Sequence, residues 1–108
     1  MRYWSTIVIV ALTLLSARTA QAGDGPAQTH IVPIKGFAFV PDHLTVSAGD
    51  TVVWKNEDIV PHTATDKGVF DSTEIGSRKS WAYKATRQRK FAYICTYHPT
   101  MHADLTVQ

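Results

Sequence analysis

Seven short runs of alternating apolar and polar residues, rich in β-branched and aromatic side chains, divide most of this chain into strand-length pieces. They lie at 29–34, 37–40, 43–48, 51–56, 79–85, 90–95 and 103–108. An alternation of period two indicates half-buried β-strands, and turn-forming residues separate the runs, as at Gly49-Asp50. No window has the periodicity of an amphipathic helix. The pattern predicts an all-β fold, either an antiparallel sandwich or a small barrel.

The first residues have the features of a targeting segment. Arg2 precedes an apolar run at 6–15, and small residues follow at Ala20 and Ala22. A bilayer-spanning helix needs about 20 apolar residues, so this run is too short to be an anchor. We therefore predict a secretory signal peptide at 1–22, a single domain at 23–108, a periplasmic location and no stable membrane insertion.

The net charge of the chain argues against nucleic acid as a partner. Arg2 and Arg18 account for the whole formal charge of +2, so the predicted mature domain is neutral and net charge gives no indication of nucleic-acid binding. The segment 78–90 carries six basic residues and no acidic one. This basic segment fits either the solvent-exposed face of a hairpin or a docking patch for an acidic partner.

Cys95 is the one cysteine, so it cannot form a disulfide within the chain. It is therefore buried and inert, paired between chains, or bound to a metal. In the run KFAYIC the alternation places Phe91, Tyr93 and Cys95 on one face, which points the thiol inward at the end of a strand. His98 and Met101 follow at spacings of three and six. Thiolate, imidazole and thioether together favour copper.

A complete copper site needs a second histidine from elsewhere in the fold. The best candidate is His62, which follows the rigid Pro61 in the segment IVPHTATD. His30, His43 and His102 have no such context, and we expect them to be ordinary surface or loop histidines.

The segments FVPDHLTVSAGDTVVWKNEDIVPHTATD and YICTYHPTM resemble the cupredoxins, small blue type-1 copper proteins, and within them the amicyanins. The resemblance implies an antiparallel Greek-key, cupredoxin-like β-sandwich of about seven to eight strands. It also implies that this sandwich binds one copper ion through His62, Cys95, His98 and Met101. It also implies an electron-transfer protein, not an enzyme: a monomer that shuttles single electrons between transient protein partners.

Two positions depart from the amicyanin pattern close to the implied ligands. Thr63 stands where the family usually has asparagine, and Tyr97 stands where its loops commonly have proline. We expect the backbone N–H groups of both residues to donate to the Cys95 sulfur. The expected docking surface around the exposed ligand consists of Tyr97, His98, Pro99 and Thr100.

Other functions remain open on the sequence, and each makes a different prediction. A periplasmic copper carrier without an electron-transfer role predicts rapid release of Cu(I) to a chelator. A copper oxidase or reductase needs a second metal centre or a substrate site, and predicts turnover with oxygen or nitrite. A zinc or structural module predicts a colourless protein in the presence of Cu(II).

Overall fold

A computed structural model describes residues 25–108 of the chain as eight β-strands. The predicted signal peptide at 1–22 lies outside these residues. Within them, no helix is long and apolar enough to cross a membrane. The strands are β1 (Thr29–Ile34), β2 (His43–Val46), β3 (Thr51–Asn56), β4 (Thr65–Asp66), β5 (Phe70–Asp71), β6 (Ser80–Lys84), β7 (Lys90–Ile94) and β8 (His102–Val107).

The strands form two sheets, which confirms the predicted all-β sandwich. One sheet has the order β1-β3-β6 and the other the order β2-β8-β7-β4-β5. The sheets are mixed rather than purely antiparallel, since β1 pairs with β3 and β2 pairs with β8 in parallel. Parallel pairing arises because the chain passes from one sheet to the other and back, so that β2 separates β1 from β3 along the sequence.

Two parts of the predicted strand pattern are corrected. The run 37–40 is not a strand, and its one ladder contact is an isolated bridge between Phe39 and Ile34. Lys35 and Ala38 exchange backbone hydrogen bonds of 2.9 and 3.2 Å, which closes a tight turn instead. The hairpin of β4 and β5 has no predicted counterpart, because strands of two residues are too short to show alternation.

The core between the sheets holds β7 in place. Phe91, Tyr93 and Cys95 are all buried, as the alternation predicts. Trp54 of β3 donates its indole N–H to the Tyr93 hydroxyl at 3.2 Å, which links the two sheets through a buried polar contact. Burial raises the pKa of Tyr93 to about 12, so this hydroxyl stays neutral. Cys95 therefore emerges from a firmly packed central strand.

The basic segment 78–90 is divided between opposite ends of the sandwich. At one end, the Arg78 N–H donates to the Asn56 carbonyl at 2.9 Å, beside the loops that carry His62 and Cys95. Antiparallel pairing carries β6 away from these loops, so Lys84 lies opposite Thr51 at the far end. The turn between β6 and β7 also lies at that far end. The basic residues of this segment therefore lie at two ends of the sandwich and do not form one surface.

Candidate metal centre

The loop after β7 folds Cys95, His98 and Met101 back toward each other. Three backbone hydrogen bonds close it: His98 N–H to the Cys95 carbonyl at 3.3 Å, Met101 N–H to the His98 carbonyl at 2.8 Å, and Cys95 N–H to the Met101 carbonyl at 3.1 Å. Successive turns of this kind need few residues, which explains why the three residues follow at spacings of three. Met101 is buried with Cys95 in the core cluster.

His62 comes from the loop between β3 and β4, and two sets of contacts hold it. His62 and Ile75 exchange backbone hydrogen bonds of 3.1 and 2.7 Å. The fully buried Asn56 donates its side-chain amide to the carbonyls of Val60 and Ile75, at 2.8 and 2.9 Å. A buried amide with both partners satisfied fixes the backbone around it. The loop therefore presents His62 from a rigid frame.

The two loops bring three of the four predicted ligands together. The Cys95 sulfur lies 3.8 Å from His62 Nδ1 and 3.7 Å from His98 Nδ1. The ligand atoms of these residues all lie within 4.8 Å of one another. His62 and Cys95 have no exposed surface, and His98 is partly exposed. Among residues 25–108 this is the one grouping of histidine, cysteine or acidic side chains close enough to hold a metal ion.

The donor set fits copper on chemical grounds. Two imidazole nitrogens and one thiol sulfur are the donors that copper accepts in both oxidation states. The three donors that lie close together are those of His62, Cys95 and His98. The Met101 thioether belongs to the same loop as Cys95 and His98 but is not part of this close group.

Thr63 links the two ligand loops, in agreement with part of the expectation for this position. Its backbone N–H lies 3.4 Å from the Cys95 sulfur. Its hydroxyl accepts a hydrogen bond from the Thr96 N–H at 2.9 Å and lies 3.1 Å from the Thr96 hydroxyl. A threonine hydroxyl therefore links the two ligand loops at the position where the amicyanin pattern has asparagine.

Tyr97 does not supply the expected second donor to the sulfur. The His98 N–H donates to the Cys95 carbonyl, and the Thr96 N–H donates to the Thr63 hydroxyl. Within residues 25–108, the Tyr97 N–H has no hydrogen bond to Cys95. The Tyr97 side chain is instead exposed, beside Pro99 and Thr100, which are also exposed. These residues surround the partly exposed His98.

Asp58 is a partner of the site that sequence reasoning missed. Its carboxylate lies 2.8 Å from His62 Nε2 and also accepts the N–H groups of Gly36 and Phe37, at 2.8 and 2.9 Å. Burial acts to raise the pKa of Asp58, but the hydrogen bonds from Phe37, Gly36 and His62 outweigh it and hold the pKa below its usual value. An ionised carboxylate keeps the proton on Nε2, which leaves Nδ1 free to bind a metal.

Phe37 is the second missed residue. Its ring packs edge-on against His62 and His98, with centroid distances of 5.2 and 5.0 Å and interplanar angles of 85° and 86°. The sequence placed Phe37 in a strand, so the alternation gave no sign of this contact. The position of Asp58, four residues before His62, is the signal that could have identified the carboxylate.

Comparison with known proteins gives consistent results. Amicyanin from Paracoccus versutus is 28% identical over 103 residues, which cover 90% of this chain and 78% of that protein. Its crystal structure superposes with a TM-score of 0.69 at 28% identity, over 79% of this chain and 86% of that one. Amicyanin-alpha from Methylorubrum extorquens is 29% identical, over 91% of this chain and 93% of that protein.

A larger protein contains a similar fold. The copper-containing nitrite reductase of Thermus scotoductus SA-01 matches with a TM-score of 0.70 and 26% identity, over 74% of this chain but only 22% of the reductase. No protein-family model matches the sequence. The likeness to amicyanin extends over most of both chains, and it coincides with the sandwich fold and the His-Cys-His cluster. The sequence of this chain is similar to that of amicyanin over most of both chains, and its fold is that of the cupredoxins.

Proposed function

We propose that this protein is a blue-copper electron carrier that binds one copper ion through His62, Cys95, His98 and Met101. The observation that carries the proposal is the convergence of Cys95 Sγ with the Nδ1 atoms of His62 and His98 within 4.8 Å. When bound, copper would alternate between Cu(I) and Cu(II) and so carry one electron at a time.

The residues of the chain prepare this chemistry in distinct ways. Cys95 would hold the metal through its sulfur, as a thiolate. The Thr63 N–H donates to that sulfur and draws charge from it, which favours the reduced state. Asp58 sets the tautomer of His62. Met101, buried across the loop from Cys95, would be the fourth residue to hold the metal, through its thioether sulfur.

His98 is the proposed point of entry and exit for electrons, because it is the partly exposed histidine of the cluster. Tyr97, Pro99 and Thr100 surround it and form the proposed docking surface for a transient redox partner. Apolar and mildly polar surfaces of limited size suit short-lived complexes. We further propose that the chain acts as a monomer in the periplasm, after removal of the signal peptide at 1–22, with 23–108 as its single domain.

Loading the protein with Cu(II) and recording optical and EPR spectra tests the proposal. We expect the intense visible absorption of a copper–thiolate bond, and we expect Cys95→Ser to abolish it while circular dichroism still shows a β-rich fold. Cys95 lies at the end of an apolar core that does not depend on the metal, so the fold should survive. A Cys95→Ser protein that stays intensely blue would contradict the thiolate assignment.

A copper carrier without an electron-transfer role predicts a different behaviour. Handing copper to another protein requires access to the donors, and neither His62 nor Cys95 has exposed surface. We therefore expect slow loss of Cu(I) to a chelator, together with a reversible one-electron couple in voltammetry. Rapid release without a reversible couple would favour the carrier.

A further inference from the structure

Phe37 has a backbone conformation that large side chains seldom adopt. Its φ angle is 57°, in the left-handed region, next to Gly36 at 60°. Glycine enters this region freely, whereas a bulky residue there is a strained outlier. Such strain persists only where surrounding contacts enforce it, and it is concentrated at functional sites.

The strain is not explained by burial of the Phe37 side chain. The ring is 51% exposed, whereas Phe39, two residues later, fills the core. The contacts that Phe37 does make are with the imidazoles of His62 and His98. A polar or smaller residue that tolerates the left-handed region, such as asparagine, would give the same turn with less strain.

Asp58 enforces the conformation from the other side. Its carboxylate accepts the N–H groups of both residues of the left-handed pair and also contacts His62 Nε2. One anion therefore joins the turn, the aromatic ring and a proposed ligand. An asparagine in place of Asp58 would lose part of this network, because an amide has one acceptor oxygen and the three groups are distributed over both carboxylate oxygens.

We propose that Phe37 is a positioning residue of the electron-transfer face, held by Asp58 edge-on against His62 and His98 so that both imidazoles keep a fixed orientation during electron transfer. The inference rests on the proposed function and deepens it. The three rings also contact one another, since the His62 and His98 rings lie 5.3 Å apart. Fixed ligands reorganise less when an electron enters or leaves, which speeds the transfer.

The exposed part of Phe37 extends the proposed docking surface. Tyr97 is 49% exposed and Ile59, on the loop that carries His62, is 88% exposed. Apolar side chains at the same end of the sandwich favour a partner that meets this end with its own apolar surface. A second copy of the protein provides such a surface. The rate of electron self-exchange between two copies therefore measures directly how Phe37 affects electron transfer at this end.

The decisive variant is Phe37→Asn, because asparagine tolerates the left-handed conformation. For the copper-free protein we expect a melting temperature equal to or above that of the wild type. For the copper protein we expect the self-exchange rate, measured by NMR line broadening, to fall about tenfold, a factor that matches the strength of one aromatic edge contact. Phe37→Tyr, which keeps the ring, should restore the rate.

Three further variants separate this role from general effects. Ile31→Asn removes an exposed apolar residue from the middle of β1, outside the site and its loops, and should leave the self-exchange rate unchanged. Asp58→Asn should slow self-exchange and raise the reduction potential, since the anion that favours Cu(II) is lost. Asp42→Asn removes the same charge from an exposed position without contact to His62 and should leave the reduction potential unchanged.

The possible outcomes distinguish this inference from the proposed function. A fall of more than about 4 °C in the melting temperature of copper-free Phe37→Asn would show that the ring stabilises the fold, and would overturn the inference. An unchanged self-exchange rate in Phe37→Asn would overturn it too, while a blue wild type with a reversible couple would leave the proposed function intact. A wild type that has neither property would refute both.

Discussion

Replacing Thr63 tests whether its hydroxyl connects the two ligand loops. Thr63→Val keeps the shape of the side chain but removes the acceptor of the Thr96 N–H, which lies 2.9 Å away. Leaving a partly buried N–H without a partner costs about 1–3 kcal/mol, and the exposure of Thr96 places the effect near the lower limit. A loss of ~1 kcal/mol lowers the melting temperature of a domain of this size by about 4–8 °C.

Thr63→Ser is the matched control for this prediction. Serine keeps the hydroxyl and loses one methyl group, which costs about 0.8 kcal/mol or less when the surroundings relax. Thermal unfolding of the copper-free proteins, followed by circular dichroism, compares the two without interference from the metal. We expect valine to be the less stable variant. If Thr63→Ser unfolds at a lower temperature than Thr63→Val, methyl packing holds the loops together and the hydroxyl does not.

Two more predictions concern pH and docking. Hydrogen bonds from Gln28, His30 and Ser47 hold the pKa of Asp50 below its usual value. The stability that its ionised form contributes is therefore fully present above the usual pKa and is lost as pH falls through the lowered pKa. Acid unfolding of Asp50→Asn should depend less on pH than that of the wild type, and identical profiles for the two proteins would contradict this. At high salt, Thr100→Glu should slow electron transfer to the partner more than Arg87→Glu, because salt screens charge steering but not contact at His98. If stopped-flow measurements show that Arg87→Glu slows the transfer more, the partner docks at the far end of the sandwich, where the turn between β6 and β7 lies.

The sequence predicts best the strands in which apolar and polar residues alternate over about six positions. β1 and β3 have the predicted bounds because six residues each alternate between core and solvent. The run 37–40 has similar composition, yet it forms a turn, since the two N–H groups of Gly36 and Phe37 bind a carboxylate 21 and 22 residues later in the chain. No local pattern contains such a contact.

In the candidate site, too, the sequence predicts what depends on local spacing and misses what depends on long-range contacts. The spacing of Cys95, His98 and Met101 is local, so the chain alone indicates one loop of donors. His62 was only a candidate from its position after Pro61, and the resemblance implied its place in the ligand set, because 33 residues separate it from Cys95. Phe37 could be identified only from the structure, because it contacts His62 and His98 from a loop that is distant in the sequence. Asp58 lies four residues before His62 in the same loop, but its hydrogen bonds to Gly36 and Phe37 are equally distant in the sequence.

The loops around the cluster are held mainly by polar contacts rather than by packing of large side chains. Asn56 fixes the loop of His62, Thr63 joins it to Thr96, and Asp58 joins it to the turn at Phe37. The donors therefore lie close together in a chain whose core is complete without them. A metal that enters such a site meets ligands already in place, so binding stabilises the native state without having to create it. This arrangement also favours rapid electron transfer, because ligands held by their neighbours change position little when the charge of the metal changes.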